Sequence, residues 1–352
     1  MRGPISSLIA LALVGAGCTP GFDERPSQVA GLRVLAVRAE PAEAAPGQKI
    51  TYTALLVDGA GERGDAPIDW AYCSEPRPQA ELDDVATACF VLQSEALTPL
   101  GTGLHVAGAL PANACRQFGP DVPDAMPGEP PGRPADPDPS GGYYQPVRLI
   151  LPNGGEYLLA AGEARITCGL PGATSEIFQD FRKGYHSNQN PEIAAMTVVA
   201  TPEVPLLPDD GVTASFIVAP GRELRLRAAW PACPAAATCG DGVCSPGEDL
   251  ATCPADCKTP KGCGGSERYV SFDPGTRTIV QRSEAMVVSF FATGGTFASD
   301  RTGQPEGAST PSTENVWTAP SGAGEVVIWA VIRDDRGGVG WKRYRVKVSR
   351  AG

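Results

Sequence analysis

Residues 222–230 read Arg222-Glu223-Leu224-Arg225-Leu226-Arg227-Ala228-Ala229-Trp230. Leu224, Leu226, Ala228 and Trp230 fall on one side of an extended chain; Glu223, Arg225 and Arg227 fall on the other. Side chains alternate across a strand with period two, so this segment reads as a half-buried β-strand. Pro220-Gly221 stands directly before it, and residues 193–200 read as an earlier strand. The same order occurs near the amino end: a strand at 32–38, Pro46-Gly47, then a strand at 50–57. The two halves therefore read as diverged copies of one plan.

More strands follow at 68–73, 147–151, 157–161 and 164–168, then at 268–272, 276–281, 285–292 and 315–319. The last two, 325–333 and 341–348, flank Asp334-Asp335-Arg336-Gly337-Gly338, a hairpin turn. Residues 82–110 are ambiguous between strand and short helix. Gly and Pro together make 77 of 352 residues (42 and 35). Both break helices, so a mostly helical chain is excluded. The expectation is an all-β protein. Its net charge of −11 leaves no electrostatic footprint for nucleic acid.

Arg2, an apolar run over 5–14 and small Gly15, Ala16 and Gly17 precede Cys18. That run is short for a bilayer span and has the layout of a signal peptide over 1–17. The stretch resembles the bacterial lipobox, in which a small residue precedes a cysteine that is diacylated. Gly15 departs from it, since Leu is commonest there. The resemblance implies lipidation at Cys18, a tether over 18–30 and a membrane partner reached through the lipid. Thr19, in place of an inner-membrane Asp, points to the outer membrane. The plainer reading is an ordinary signal peptide with an incidental thiol.

Ten cysteines remain, an even number, as disulfides in an exported protein require. Cys73, Cys89, Cys115 and Cys168 are sparse; Cys233, Cys239, Cys244, Cys253, Cys257 and Cys263 crowd into 233–263. Spacing does not fix their pairing, although Cys233 and Cys263 flank the group and could close its neck. The run from Cys239 through Gly240-Asp241-Gly242 to Cys257 resembles a short CGDGxC…CPxDC module of exported bacterial proteins. Zinc on thiolates competes with disulfides there, without paired CxxC knuckles to favour it. Calcium is the one cofactor suggested, through Asp241, Glu248, Asp249 and Asp256; the alternative is solvated acids on a stapled loop.

The phrases Ala292-Thr-Gly-Gly-Thr-Phe297 and Trp317-Thr-Ala-Pro320, with the turn before the last strand, resemble PKD-like and other immunoglobulin-like domains. Leu32 to Pro41 is similar to the start of lipoproteins from GC-rich Gram-negative bacteria. The resemblance implies two immunoglobulin-like β-sandwich domains, 31–170 and 193–352. A polar connector over 171–192 joins them, and the second domain carries the disulfide-rich insert. A Pro-rich loop over 111–146 interrupts the first.

Catalytic signatures are sparse. The chain has two histidines, His105 and His186, and no HExxH, Gly-x-Ser-x-Gly or phosphate-binding loop. Asp136 with Asp138, and Asp334 with Asp335, suit either calcium or turn chemistry. Tyr143-Tyr144 suits either a sticky rim or packing of the loop. The leading expectation is a non-enzymatic, lipid-anchored cell-envelope module that binds or spaces a protein or glycan partner. The alternatives are a calcium-dependent binding module using the insert acids, and a hydrolase with a site in loop 111–146.

Overall fold

The structure, a computed structural model, describes residues 25–76, 85–120, 140–170, 172–209, 214, 216–234, 238–244, 248, 251–258 and 262–350. The signal-peptide and Cys18 readings lie outside the described residues, as do Asp136, Asp138, Asp249 and most of the Pro-rich loop.

The protein is all-β. The first half contains β1 (Arg33–Glu40), β2 (Glu43–Ala44), β3 (Lys49–Asp58), β4 (Gly61–Glu62), β5 (Asp69–Cys73), β6 (Leu97–Thr102), β7 (His105–Ala109), β8 (Gly142–Asn153) and β9 (Glu156–Thr167). One sheet has the order β1-β3-β4, with β7 also on β3; the other runs β2-β9-β8-β5-β6. Ile50, Tyr52, Ala54 and Leu56 of β3 meet Trp70 and Tyr72 of β5 and Val147, Leu149 and Leu151 of β8 in one core. Tyr52 packs edge-on to Tyr72 with ring centres 5.9 Å apart. Two strands expected at 157–161 and 164–168 are one continuous strand, β9. Its Gly162 bends nothing; it lets Val37 of β1 lie directly against the backbone. The ambiguous 82–110 region supplies a single 3-10 turn at Thr87–Cys89 and strands β6 and β7.

The connector holds a helix, α2 (Ser175–Gly184), preceded by a single turn α1 (Ala114–Phe118) in the first half. Thr174 caps α2 by accepting the Ile177 N–H, Glu176 lies in its first turn, and Arg182 and Lys183 lie in its last. These placements suit the helix dipole and stabilise a helix where polar composition alone suggests a loop.

The second half contains β10 (Ala195–Val198), β11 (Val204–Leu206), β12 (Phe216–Val218), β13 (Glu223–Ala229), a short helix α3 (Pro254–Cys257), β14 (Arg268–Asp273), β15 (Thr278–Ser283), β16 (Met286–Ala292), β17 (Thr296–Phe297), β18 (Arg301–Gln304), β19 (Ser312–Thr318), β20 (Gly324–Asp334) and β21 (Val339–Val348). Its sheets run β11-β10-β13-β19-β17 and β12-β21-β20-β16-β18, with β14-β15 a separate hairpin. Leu224, Leu226, Ala228 and Trp230 are all buried, in a core with Ile328, Ala330 and Tyr344. Arg227 on the opposite side pairs with Glu203 and Glu314 at the surface.

The two halves are joined face to face. Val327, Trp329 and Val331 leave β20 on the side away from its own core. They pack on Leu35 and Ala36 of β1 and Leu55 and Val57 of β3. Val29, just ahead of β1, is buried in the same seam. Its N–H donates to the Ala292 carbonyl at 2.8 Å, and the Ala292 N–H donates to the Ser27 carbonyl at 2.9 Å. The amino-terminal segment thus pairs with β16 of the second half before the first half begins.

Candidate functional site: a buried ionic hub at the seam

Five disulfides hold the ten cysteines of the two groups: Cys73–Cys89, Cys115–Cys168, Cys233–Cys263, Cys239–Cys253 and Cys244–Cys257. Cys233–Cys263 closes the neck of the insert, and the other two insert bridges interleave. Such cross-links substitute for a core that a stretch this short cannot build. The insert docks on the connector, with Cys244 Sγ 3.2 Å from His186 Nδ1.

The insert acids have local tasks. Asp256 is buried and accepts the Gly240 N–H at 2.6 Å and the Gly242 N–H at 3.1 Å. Asp241 accepts the Val243 N–H at 2.8 Å, closing its own turn. Glu248 is buried. Calcium takes six to eight oxygens, and the oxygens of Asp241 and Asp256 named here already accept backbone donors. Among the described residues, the two groups spaced to hold a metal are His186 with Cys244 and Cys257, and Asp256 with Cys239 and Cys253. All four cysteines are in disulfides and offer no thiolate to zinc.

The concentration of buried charge lies elsewhere, where β2, β9, the connector, the insert neck and the β20–β21 turn meet. On the first-half side stands Glu43, with a fully buried carboxylate. It accepts Arg165 Nε at 3.0 Å, the Asn188 N–H at 2.9 Å, Thr167 Oγ1 at 2.7 Å and the Tyr185 hydroxyl. Arg165 also donates to Ser140 Oγ at 2.8 Å and to Tyr144 Oη at 3.1 Å, beside the Tyr144 ring. Gly142 is required here, because a Cβ would overlap the Arg165 guanidinium. Burial pushes the Glu43 carboxyl up. Arg165, Tyr185 and Asn188 more than offset that and hold it below the ordinary range.

On the second-half side Arg336 is buried, stacked 4.8 Å from the centre of the Tyr269 ring. It donates from Nε to Glu284 at 2.7 Å, from Nη2 to Glu267 at 3.4 Å and from Nη1 to the His186 carbonyl at 3.3 Å. The Glu267 N–H donates to Glu284, and Glu267 accepts the Cys263 N–H of the insert neck. Asp334 Oδ1 accepts from Arg336 N, Gly338 N and Asn188 Nδ2. Its Oδ2 has no donor, nor does Asn188 Oδ1.

Buried Glu284 and part-buried Glu267 thus hold the Arg336 guanidinium, with buried Asp334 on the Arg336 backbone beside them. Burial raises all three: Glu267 to about 7, Glu284 well above its usual value, and Asp334 upward. Arg336 opposes each shift, and mutual repulsion among the acids adds to burial for Glu267 and Glu284. Groups this close titrate as a set. Glu267 therefore titrates near neutrality, and Glu284 and Asp334 shift in the same direction. The connector bridges both sides through Asn188 and through Asn190, which accepts the Val339 N–H and donates to the Ala39 carbonyl.

The Asp334 reading placed that residue on a turn. It is there, but buried and capping that turn rather than presented to solvent. His105 is exposed beside Thr53. Tyr143 is buried, and Tyr144 supports Arg165. Glu43, Arg165, Glu267, Glu284 and Arg336 went unmarked in the sequence. The available signal was a charge set inside an apolar strand: Arg165 between Ala164 and Ile166 is the clearest.

No protein-family profile matches the chain, and no curated protein matches it in sequence. Among solved structures, a DUF4785 family protein from Legionella pneumophila aligns at 8% identity over 89% of this chain and 57% of its own, with a TM-score of 0.20. Escherichia coli alpha-2-macroglobulin aligns at 11% identity over 91% of this chain and 17% of its own, with a TM-score of 0.22. The Yersinia pseudotuberculosis adhesin InvE aligns at 11% identity over 90% and 58%, with a TM-score of 0.20. This chain spans less than two thirds of the length of each. Likeness at these scores carries no argument about function.

Proposed function

We infer that this chain is an exported, lipid-anchored, non-enzymatic module of the cell envelope. In this reading it consists of two immunoglobulin-like sandwiches held as one block and displayed to a protein partner. The observation that carries the reading is the seam. The segment that follows Cys18 is buried at Ser27 and Val29 and paired with β16, where the two halves pack through Trp329 and the hub. A lipid on Cys18 would therefore be joined to the body close to the seam between its halves. Two chains of acyl methylenes, at about 0.8 kcal/mol each, make a stable anchor.

The test is fractionation of cells producing the full chain and its Cys18→Ala variant. Wild type belongs in the membrane fraction, and the variant, still disulfide-bonded, belongs in the soluble exported fraction. Retention of Cys18→Ala in the membrane would overturn the anchor.

A further inference from the structure

The connector brings a histidine to a disulfide. His186 Nδ1 stands 3.2 Å from Cys244 Sγ, and Cys244 is bridged to Cys257. A sulfur in a disulfide carries no proton, so Nδ1 is the donor in this contact. A ring nitrogen of His186 and the sulfurs of Cys244 and Cys257 all lie within 4.8 Å of one another. The hub fixes the histidine from both sides. Arg336 Nη1 donates to the His186 carbonyl at 3.3 Å. On one side of it in sequence, Tyr185 donates its hydroxyl to Glu43. On the other, Asn188 donates its backbone N–H to Glu43 at 2.9 Å and Nδ2 to Asp334 at 3.2 Å.

Other bridges have different surroundings. Cys73 and Cys89 are both fully buried, out of reach of a thiol in solution. Cys115 Sγ faces the Thr167 carbonyl at 3.5 Å. In the insert itself, Cys239 Sγ lies 4.0 Å from the Thr252 carbonyl, and buried Cys253 Sγ lies 3.2 Å from Asp256 Oδ2. A thiolate departing at Cys253 would be repelled by the Asp256 carboxylate. One departing at Cys244 would meet an N–H. Exchange is faster when the departing sulfur is the better stabilised thiolate. Cys244 and Cys257 are both half-buried, which leaves them open to a slender thiol. When this bridge opens, Cys233–Cys263 and Cys239–Cys253 still close the insert.

We propose that Cys244–Cys257 is a thiol–disulfide exchange site for a low-molecular-weight thiol, with His186 holding Cys244 as it departs. The incoming thiol gives its proton to solvent, and its thiolate bonds to Cys257 Sγ. The S–S bond to Cys244 breaks, and its electron pair leaves on Cys244 Sγ as a thiolate that accepts the His186 Nδ1–H. The product is a mixed disulfide on Cys257 and a free Cys244. Sulfur, charge and electrons balance, since the thiol is oxidised as Cys244 is reduced. The reaction is stoichiometric, goes beyond the anchored-module reading and does not depend on it.

The probe is reduced glutathione, added to the oxidised full-length protein without denaturant. Free thiols are trapped with N-ethylmaleimide at intervals, and peptide mass mapping locates both labels. The expected result is glutathione on Cys257 and maleimide on Cys244, appearing about tenfold faster than any label at Cys239 or Cys253. His186→Ala should slow reaction at Cys244–Cys257 about tenfold and spread glutathione over both sulfurs, with Cys239–Cys253 unchanged. A variant that merely loosened the insert would open both bridges faster, the opposite sign. First attack at Cys239–Cys253 or at the neck, glutathione on Cys244 in wild type, or a His186→Ala rate equal to or above wild type would overturn the proposal. Fractionation of Cys18→Ala is indifferent to each of these results, so the exchange site and the anchor stand or fall separately.

Discussion

Stability should fall as pH rises from about 4.5 to above 7, which is the reverse of an ordinary acid-sensitive protein. Glu267 sets the scale. Burial raises its carboxyl from 4.5 to about 7 against the pull of Arg336. A carboxyl whose folded pKa lies above its unfolded one binds its proton more tightly in the native state. Its stabilising contribution is complete below about 4.5 and is lost as pH climbs through about 7. At about 1.36 kcal/mol per pH unit, that interval is worth ~3 kcal/mol. Asp334 and Glu284 shift the same way and add to the slope. Glu43 shifts downward, so its contribution is present above 4.5 and is lost only at lower pH. The two halves of the hub thus act in different windows, and the fall above 4.5 belongs to the Arg336 side.

Urea unfolding followed by tryptophan fluorescence, at pH values from 4.5 to 8, measures this. With a slope near 3 kcal/mol per molar urea, the midpoint should drop by about 1 M across the range. Glu267→Gln keeps an oxygen for the Cys263 N–H and removes the titrating proton, so its midpoint should change much less with pH. Asp334→Asn keeps Oδ1 for its three donors and should flatten the curve as well. A wild-type midpoint that is level or rising between pH 5 and 7.5 would refute the reasoning. So would a slope unchanged in both variants.

Two further outcomes test the seam. Arg165→Ala leaves the Glu43 carboxylate buried without its cation and should cost ~3–5 kcal/mol in denaturant unfolding; a cost below about 1 kcal/mol would mean that Tyr185, Thr167 and Asn188 suffice. Trp329→Ala opens a cavity between the halves, should cost ~3–5 kcal/mol, and should split calorimetric melting into two transitions. A single transition at the wild-type temperature would show that the seam does not couple the halves.

The fold was legible wherever one face of a strand is wet. β13 alternates cleanly because Arg225 and Arg227 meet solvent while Leu224 and Leu226 meet the core. Where both faces are buried the alternation vanishes, as a two-sided strand must. Val326 to Ile332 is an unbroken apolar run in which even members face the core and odd members face the seam. Ala54 to Val57 has the same character. Read together, these two runs announce that a second layer covers each sheet. The helix α2 was hidden by its polar composition, its cue being the Thr174 cap with charges placed to suit the dipole. The hub was hidden for another reason. Its members come from residues 43, 165, 188, 267, 284 and 334–336, and no local pattern joins them. Only the cost of burying a charge alone demands that Arg165, inside an apolar strand, find a partner.

The hub also explains why β9 is firmly held. Arg165 stands on β9 three residues beyond Gly162 and is fixed there by Glu43, Ser140 and Tyr144. The strand is also paired with β8 over its whole length. That hold is insensitive to pH near neutrality, because Glu43 lies below its usual range and stays ionised against Arg165. The carboxyl that titrates near neutrality, Glu267, is on the Arg336 side and tied to the insert neck through Cys263. Raising the pH therefore acts first on the Arg336 side of the hub. The Glu43–Arg165 pair keeps its charge over the same range.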